Sequence, residues 1–148
     1  MLNQEVRRIM TLNPATVGPS QSVKEVSEYM LTNNMQQLPV IEDGKLLGMI
    51  TTYDMWKAIR QSKDVDSLEV REVMNDKVIK ITPKDKVGTA AELFLDRRFK
   101  TLPVVNLRNE LKGVVTSFDV MRHAIKEEYP RPILYPEVFG APGPAPSV

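Results

Sequence analysis

The sequence contains no cysteine and a single histidine, His123. The first absence removes thiol nucleophiles, disulfides and thiolate metal sites, and it fits a reducing compartment. The second leaves no Ser–His–Asp set and no cluster of metal ligands to assemble. No Walker or Rossmann glycine pattern occurs. Neither charge sign is in excess: 20 Lys and Arg against 19 Asp and Glu leave a net charge of +1. No global field therefore draws nucleic acid or an anionic membrane. No apolar run approaches the roughly 20 residues that span a bilayer, and no charged-then-apolar leader opens the sequence. The expectation is a cytoplasmic chain without visible catalytic apparatus and with no catalytic cofactor. Its 148 residues suffice for one domain or for two lobes that share a core.

What the sequence does have is repetition. Val6-Arg7-Arg8-Ile9-Met10 returns as Val70-Arg71-Glu72-Val73-Met74, and Leu38-Pro39-Val40 returns as Leu102-Pro103-Val104. Gly48-Met49-Ile50-Thr51-Thr52-Tyr53-Asp54 returns as Gly113-Val114-Val115-Thr116-Ser117-Phe118-Asp119. The first two pairs lie 64 positions apart and the last 65, so one residue has been inserted between them. A period this long points to two half-domains burying apolar faces against each other rather than to a solenoid.

Periodicity gives the element order. Ser22-Val23-Lys24-Glu25 is a capping box, and Val23, Val26 and Met30 follow at helical spacing, predicting a helix over 22–33. Val87, Ala91 and Phe94 repeat the phase, with Asp85 as the expected cap. Two short apolar runs, 38–41 and 46–50, flank Asp43-Gly44, a hairpin signal. The matching turn at 106–110 holds the insertion. A second helix is expected from Thr51 or Thr52 to about residue 61, and from Thr116 or Ser117 to about 127. Thr16-Val17 and 78–81 add a further strand per copy, so each half reads β-α-β-β-α. Trp56 aligns with Met121 and is expected to pack. Residues 61–69 read as the connection. After Tyr129 come six of the eleven prolines. The end of that tail, 140–148, reads as extended or disordered. Residues 133–139 are apolar enough either to lie against the body or a partner, or to form a loose end.

These motifs, doubled in order and in register, resemble a tandem pair of CBS (cystathionine-β-synthase-type) domains, a Bateman module, over residues 5–127. The resemblance implies an α/β (α+β) fold of two pseudo-twofold-related repeats packed through their sheets. The expected bounds are 1–64 and 65–128, with a proline-rich tail over 129–148. It implies two clefts that bind adenosine compounds (AMP, ADP, ATP or S-adenosylmethionine) and pairing into homodimers.

Beside the resemblance stands the chemistry of the doubled Thr-x-x-Asp. Thr51 and Thr116 fall where a strand gives way to a helix, whose unpaired N–H groups and partial positive charge suit a phosphate. Thr hydroxyls, with Ser117 beside Thr116, add donors there. Asp54 and Asp119, one turn on, offer carboxylate oxygens to a ribose diol. Both pairs are equally capping-box variants, and a cap can also serve a ligand. By resemblance, adenine lies between the first strand of a copy and its Leu-Pro-Val strand. This points to Ala15, Thr16, Val17 and Pro39 in one half and to Ile79, Lys80, Ile81 and Pro103 in the other; ordinary core and strand-edge roles fit the same residues. Only the second copy has cations before its Leu-Pro-Val. Lys100 with Arg97 or Arg98 would meet phosphate charge, favouring phosphorylated ligands in the Asp119 cleft. A solvated helix end explains Arg97 and Arg98 as well.

Three functions follow: a sensor acting on a separate effector protein, a ligand-free structural or dimerisation module, and nucleic-acid binding through Arg7, Arg8, Lys77, Lys80 and residues 97–100. Net charge argues against the last.

Overall fold

The computed structural model describes residues 2–62, 64–97 and 100–128, with the Arg97 side chain outside that description. The expectations for Arg98 and for the tail over 129–148 lie outside the described residues.

Each repeat builds one antiparallel hairpin with two helices beside it. In the first, Ser22 Oγ accepts the Glu25 N–H at 3.0 Å and starts helix α1 (Val23–Thr32), whose buried face is Val23, Val26 and Met30. Strands β1 (Gln37–Glu42) and β2 (Lys45–Thr51) follow, then α2 (Thr52–Gln61). Asp43 and Gly44 turn the hairpin at φ of 51° and 79°, the left-handed pair that a two-residue type I′ turn requires. The second repeat opens on the short helix α3 (Val70–Val73). It continues through α4 (Val87–Arg97), β3 (Thr101–Val105), β4 (Leu111–Thr116) and α5 (Ser117–Glu128). Its hairpin carries the inserted residue in the turn. Asn106 Nδ2 donates to Glu110 Oε1 at 2.9 Å, and that bond, ahead of the charges of Lys112, Arg108 and Lys45, holds the Glu110 carboxyl below its usual value.

Three expectations change. The further strand in each repeat is a single parallel bridge, Val17 to Val40 and Ile81 to Val104; the segments are too short to extend the ladder. Asp85 does not cap α4. Its Oδ2 accepts the Thr82 N–H at 2.7 Å, two residues before the helix begins. Trp56 is 56% exposed, with its ring against Tyr53 and beneath the Arg60 guanidinium, 5.3 Å from its centroid. It lies on the outer face of α2, where no described element covers it.

The two repeats are interlocked rather than merely adjacent. Val70, from the lead-in of the second repeat, completes the first core around Met30, Leu38 and Ile50. Val6, in a 3-10 turn at Val6–Arg8, completes the second core around Phe94, Leu102 and Val115. Beyond each valine the chain crosses the other repeat's hairpin: Thr11 pairs with Val114 on β4, and Asn75 with Met49 on β2. The hairpin tips meet as well, through Lys45 and Glu110.

The crossing explains the first residue of the Gly-x-x-Thr-x-x-Asp motif. A Cβ on Gly48 would stand 2.5 Å from the Asn75 carbonyl oxygen, and one on Gly113 would stand 2.6 Å from that of Thr11. Both obstacles are backbone and cannot swing aside. Gly48→Ala and Gly113→Ala are therefore expected to cost about 1–3 kcal/mol each, as overpacking does. Gly18→Ala, whose Cβ would meet nothing closer than 3.9 Å, is the control. Urea denaturation midpoints check this; equal midpoints for all three variants would contradict it.

Candidate functional site

The crossing segments bring the lead-in of one repeat over the strand-to-helix corner of the other. At the first corner, Thr51 ends β2 and caps α2. Its Oγ1 accepts the Asp54 N–H at 3.0 Å while its hydroxyl donates to Asp54 Oδ2 at 2.8 Å. Asp54 is partly buried. At the second corner, Thr116 Oγ1 accepts the Asp119 N–H at 3.1 Å, and Asp119 Oδ2 accepts the Thr116 N–H at 2.9 Å. Both pairs therefore do serve as caps, as one reading of the motif requires. That role leaves the ligand role open, because Asp54 Oδ1 has no partner among the described residues.

Asp119 differs from Asp54. It is the buried charged residue of the described chain, 6% exposed. Thr11 of the crossing segment donates its hydroxyl to Asp119 Oδ2 at 3.3 Å, and an Arg122 guanidinium nitrogen lies 3.4 Å from Oδ1. Sequence reasoning missed Thr11 and Arg122. Arg122 sits three residues after Asp119, a helical spacing that could have flagged it; Thr11 is 108 positions away and carries no such signal.

The adenine candidates fall at strand edges. Val17 donates its N–H to the Pro39 carbonyl at 3.0 Å and accepts from Ile41; Ile81 does the same with Pro103 and Val105. These bonds turn the neighbouring Thr16 and Lys80 backbone groups outward, and among the described residues neither makes a backbone bond. Pro39 and Pro103 are buried, Ala15 and Ile79 partly so. A cavity of about 310 Å³ opens beside Thr16 and Val17, against Glu25 and Tyr29 of α1. The Lys80 ammonium donates to Asn109 Oδ1 at 2.7 Å.

Lys100 precedes β3, and its carbonyl accepts the Ser117 N–H at 3.2 Å at the start of α5. Its ammonium reaches across to Gln36 Oε1 at 3.1 Å. Gln36 holds the equivalent place in the first repeat, where its carbonyl accepts the Thr52 N–H at 3.0 Å. The two helix N-termini are thus linked through one cation. Among the described residues, no group of three or more His, Asp or Glu is placed to hold a metal ion, and no helix is long and apolar enough to cross a membrane.

With the geometry established, comparison with known proteins gives a consistent picture. The CBS domain family profile matches residues 6–60 and 70–126. The chain is 31% identical over 124 residues to the CBS domain-containing protein YhcV of Bacillus subtilis, covering 83% of this chain and 87% of that one. Among solved structures it resembles CBSX2, a CBS-pair protein from Arabidopsis thaliana, in complex with AMP: TM-score 0.75, 27% identity, 84% of this chain and 98% of the other. It also resembles the CBS domain pair of MJ0100 in complex with 5′-methylthioadenosine and S-adenosyl-L-methionine: TM-score 0.71, 27% identity, 84% and 98% covered. Other relatives are longer. The chain spans 47% of the Methanocaldococcus jannaschii protein MJ1225 and 24% of a homoserine O-acetyltransferase from Methanococcus vannielii. Two repeats, one pseudo-twofold axis and a doubled cap at the strand-to-helix corners carry the same conclusion as these likenesses: the chain belongs to the CBS domain family.

Proposed function

We propose that the chain is a non-catalytic sensor in which an adenosine compound occupies the cleft beside a Thr-x-x-Asp corner and alters a separate partner protein. The observation that carries this reading is the duplicated corner itself: a helix N-terminus, a hydroxyl and a carboxylate within one turn, beside a strand edge with unpaired backbone groups. Thr51 and Thr116, with Ser117, serve the phosphate. Asp54 and Asp119 are the acids for the ribose diol, and the backbone at Thr16 and Lys80 is open to the base. AMP in the CBSX2 complex, and 5′-methylthioadenosine and S-adenosylmethionine in that of MJ0100, support the ligand class. The module acts by binding its ligand differently in two states of the partner complex.

The same proposal includes a homodimer. The outer helix faces leave Leu31, Tyr53 and Trp56 exposed in the first repeat and Leu95, Phe118 and Met121 at the matching places in the second. A groove of about 480 Å³ runs between α1 and α2. An apolar face repeated by internal symmetry suits a second copy of the chain. The same exposed face favours the second reading, a dimerisation module that binds no small molecule.

Thermal shift with AMP, ADP, ATP and S-adenosylmethionine separates the two. At ligand concentrations 100 times Kd, stabilisation of about 2.7 kcal/mol is expected, with guanosine monophosphate inert. No shift with any adenosine compound would leave only the dimerisation module. Sedimentation gives the second check: Trp56→Glu with Phe118→Glu should convert a dimer to a monomer, and an unchanged mass would remove these faces from the interface.

A further inference from the structure

We propose that the two clefts fill unequally: the Asp54 cleft takes a phosphorylated adenosine ligand first, and Lys100 of the second repeat meets its phosphate. This rests on the adenosine reading above, and it reverses the order suggested by the position of Lys100 in the sequence.

The two carboxylates stand in different states. Asp119 is 6% exposed, and both its oxygens are engaged by protein groups: the Thr116 N–H and the Thr11 hydroxyl on Oδ2, the Arg122 guanidinium on Oδ1. A ribose diol arriving there must displace Arg122 from Oδ1 or Thr11 from Oδ2. Thr11 is held over β4 by two backbone bonds to Val114, at 2.8 and 3.0 Å. Displacing a partner that the ligand then has to replace gains little, whereas an acceptor without a partner gains a new bond. Asp54 is such an acceptor. It is more exposed, its partner among the described residues is the hydroxyl of its own cap, and Oδ1 is open. The residues that correspond to Thr11 and Arg122 are Asn75 and Lys57, and neither bonds Asp54. Asn75 Oδ1 instead accepts the Lys77 N–H at 3.0 Å.

The Lys100 cation reaches across to the first repeat. Lys100 follows α4 in sequence, yet its ammonium lies on Gln36, whose carbonyl holds the first turn of α2. The ammonium therefore lies on the residue that leads into the corner of Thr51 and Asp54, while the Lys100 carbonyl holds the start of α5. An amide oxygen does not neutralise an ammonium, so a phosphate can exchange for Gln36 and form a charge-assisted bond. Among the described side chains, the Arg122 cation at the other corner is already set against Asp119.

Isothermal titration calorimetry on the whole chain tests this with AMP and with uncharged adenosine, using Asp54→Ala, Asp54→Asn, Lys100→Gln and Thr11→Val. Urea midpoints identify any variant that fails to fold, and the isosteric Asp54→Asn stands in if Asp54→Ala does. One tight AMP site per chain is expected, and both Asp54 variants should abolish it. Lys100→Gln should weaken AMP about tenfold and leave adenosine unchanged. Thr11→Val should leave the tight site as it is and strengthen a second, weaker one. Two equal sites, a tight site that survives Asp54→Asn, or equal effects of Lys100→Gln on AMP and adenosine would overturn the inference while the adenosine reading stands. Absence of AMP binding would overturn the inference, and failure of ADP, ATP and S-adenosylmethionine as well would overturn the adenosine reading.

Discussion

The structure depends on two backbone crossings. The chain after Val6 passes over β4 and the chain after Val70 passes over β2, each so close that the strand beneath must lack a Cβ at Gly113 or Gly48. From this contact the rest follows. Each lead-in can lodge a valine in the opposite core only if it lies flat on the opposite hairpin. Each core is then closed by residues from both repeats, and neither half has a complete apolar interior of its own. The same crossings put Thr11 at the Asp119 corner and Asn75 on the hairpin that leads to Asp54.

The corners inherit their chemistry from this frame. A strand that ends at a helix start leaves unpaired N–H groups, and the Thr-x-x-Asp cap satisfies part of that demand. Duplication supplies two such corners. Substitution around them has made them unlike: Thr11 and Arg122 close on one acid, while Asn75 and Lys57 leave the other free. Lys100 donates to Gln36, the residue at the equivalent place in the other repeat.

Most of the fold is legible in the sequence because the same pattern is written twice. The N-cap at Ser22, the turn at Asp43-Gly44 and the helix starts at Thr51 and Thr116 are local signals, set by residues within a few positions of one another. The motif glycines are visible as a pattern, but their reason is a contact between residues 27 and 102 positions apart, Gly48 with Asn75 and Gly113 with Thr11, which no local rule reveals. Asp85 and Trp56 show the reverse failure. Each fits a local rule, cap or core position, and each is used otherwise because its surroundings decide. The capping pairs at both corners, Thr51 with Asp54 and Thr116 with Asp119, were readable from their spacing. Which acid is already engaged depends on Thr11, and Thr11 gives no sign of it in the sequence.

The most direct measurement of the central claim is a crystal of the chain grown in excess AMP. The account predicts density in the cleft of the first repeat, with ribose hydroxyls within hydrogen-bond distance of Asp54 Oδ1 and the phosphate at the N-terminus of α2. A nucleotide bound elsewhere, with Thr51 and Asp54 turned to bulk water, would contradict it.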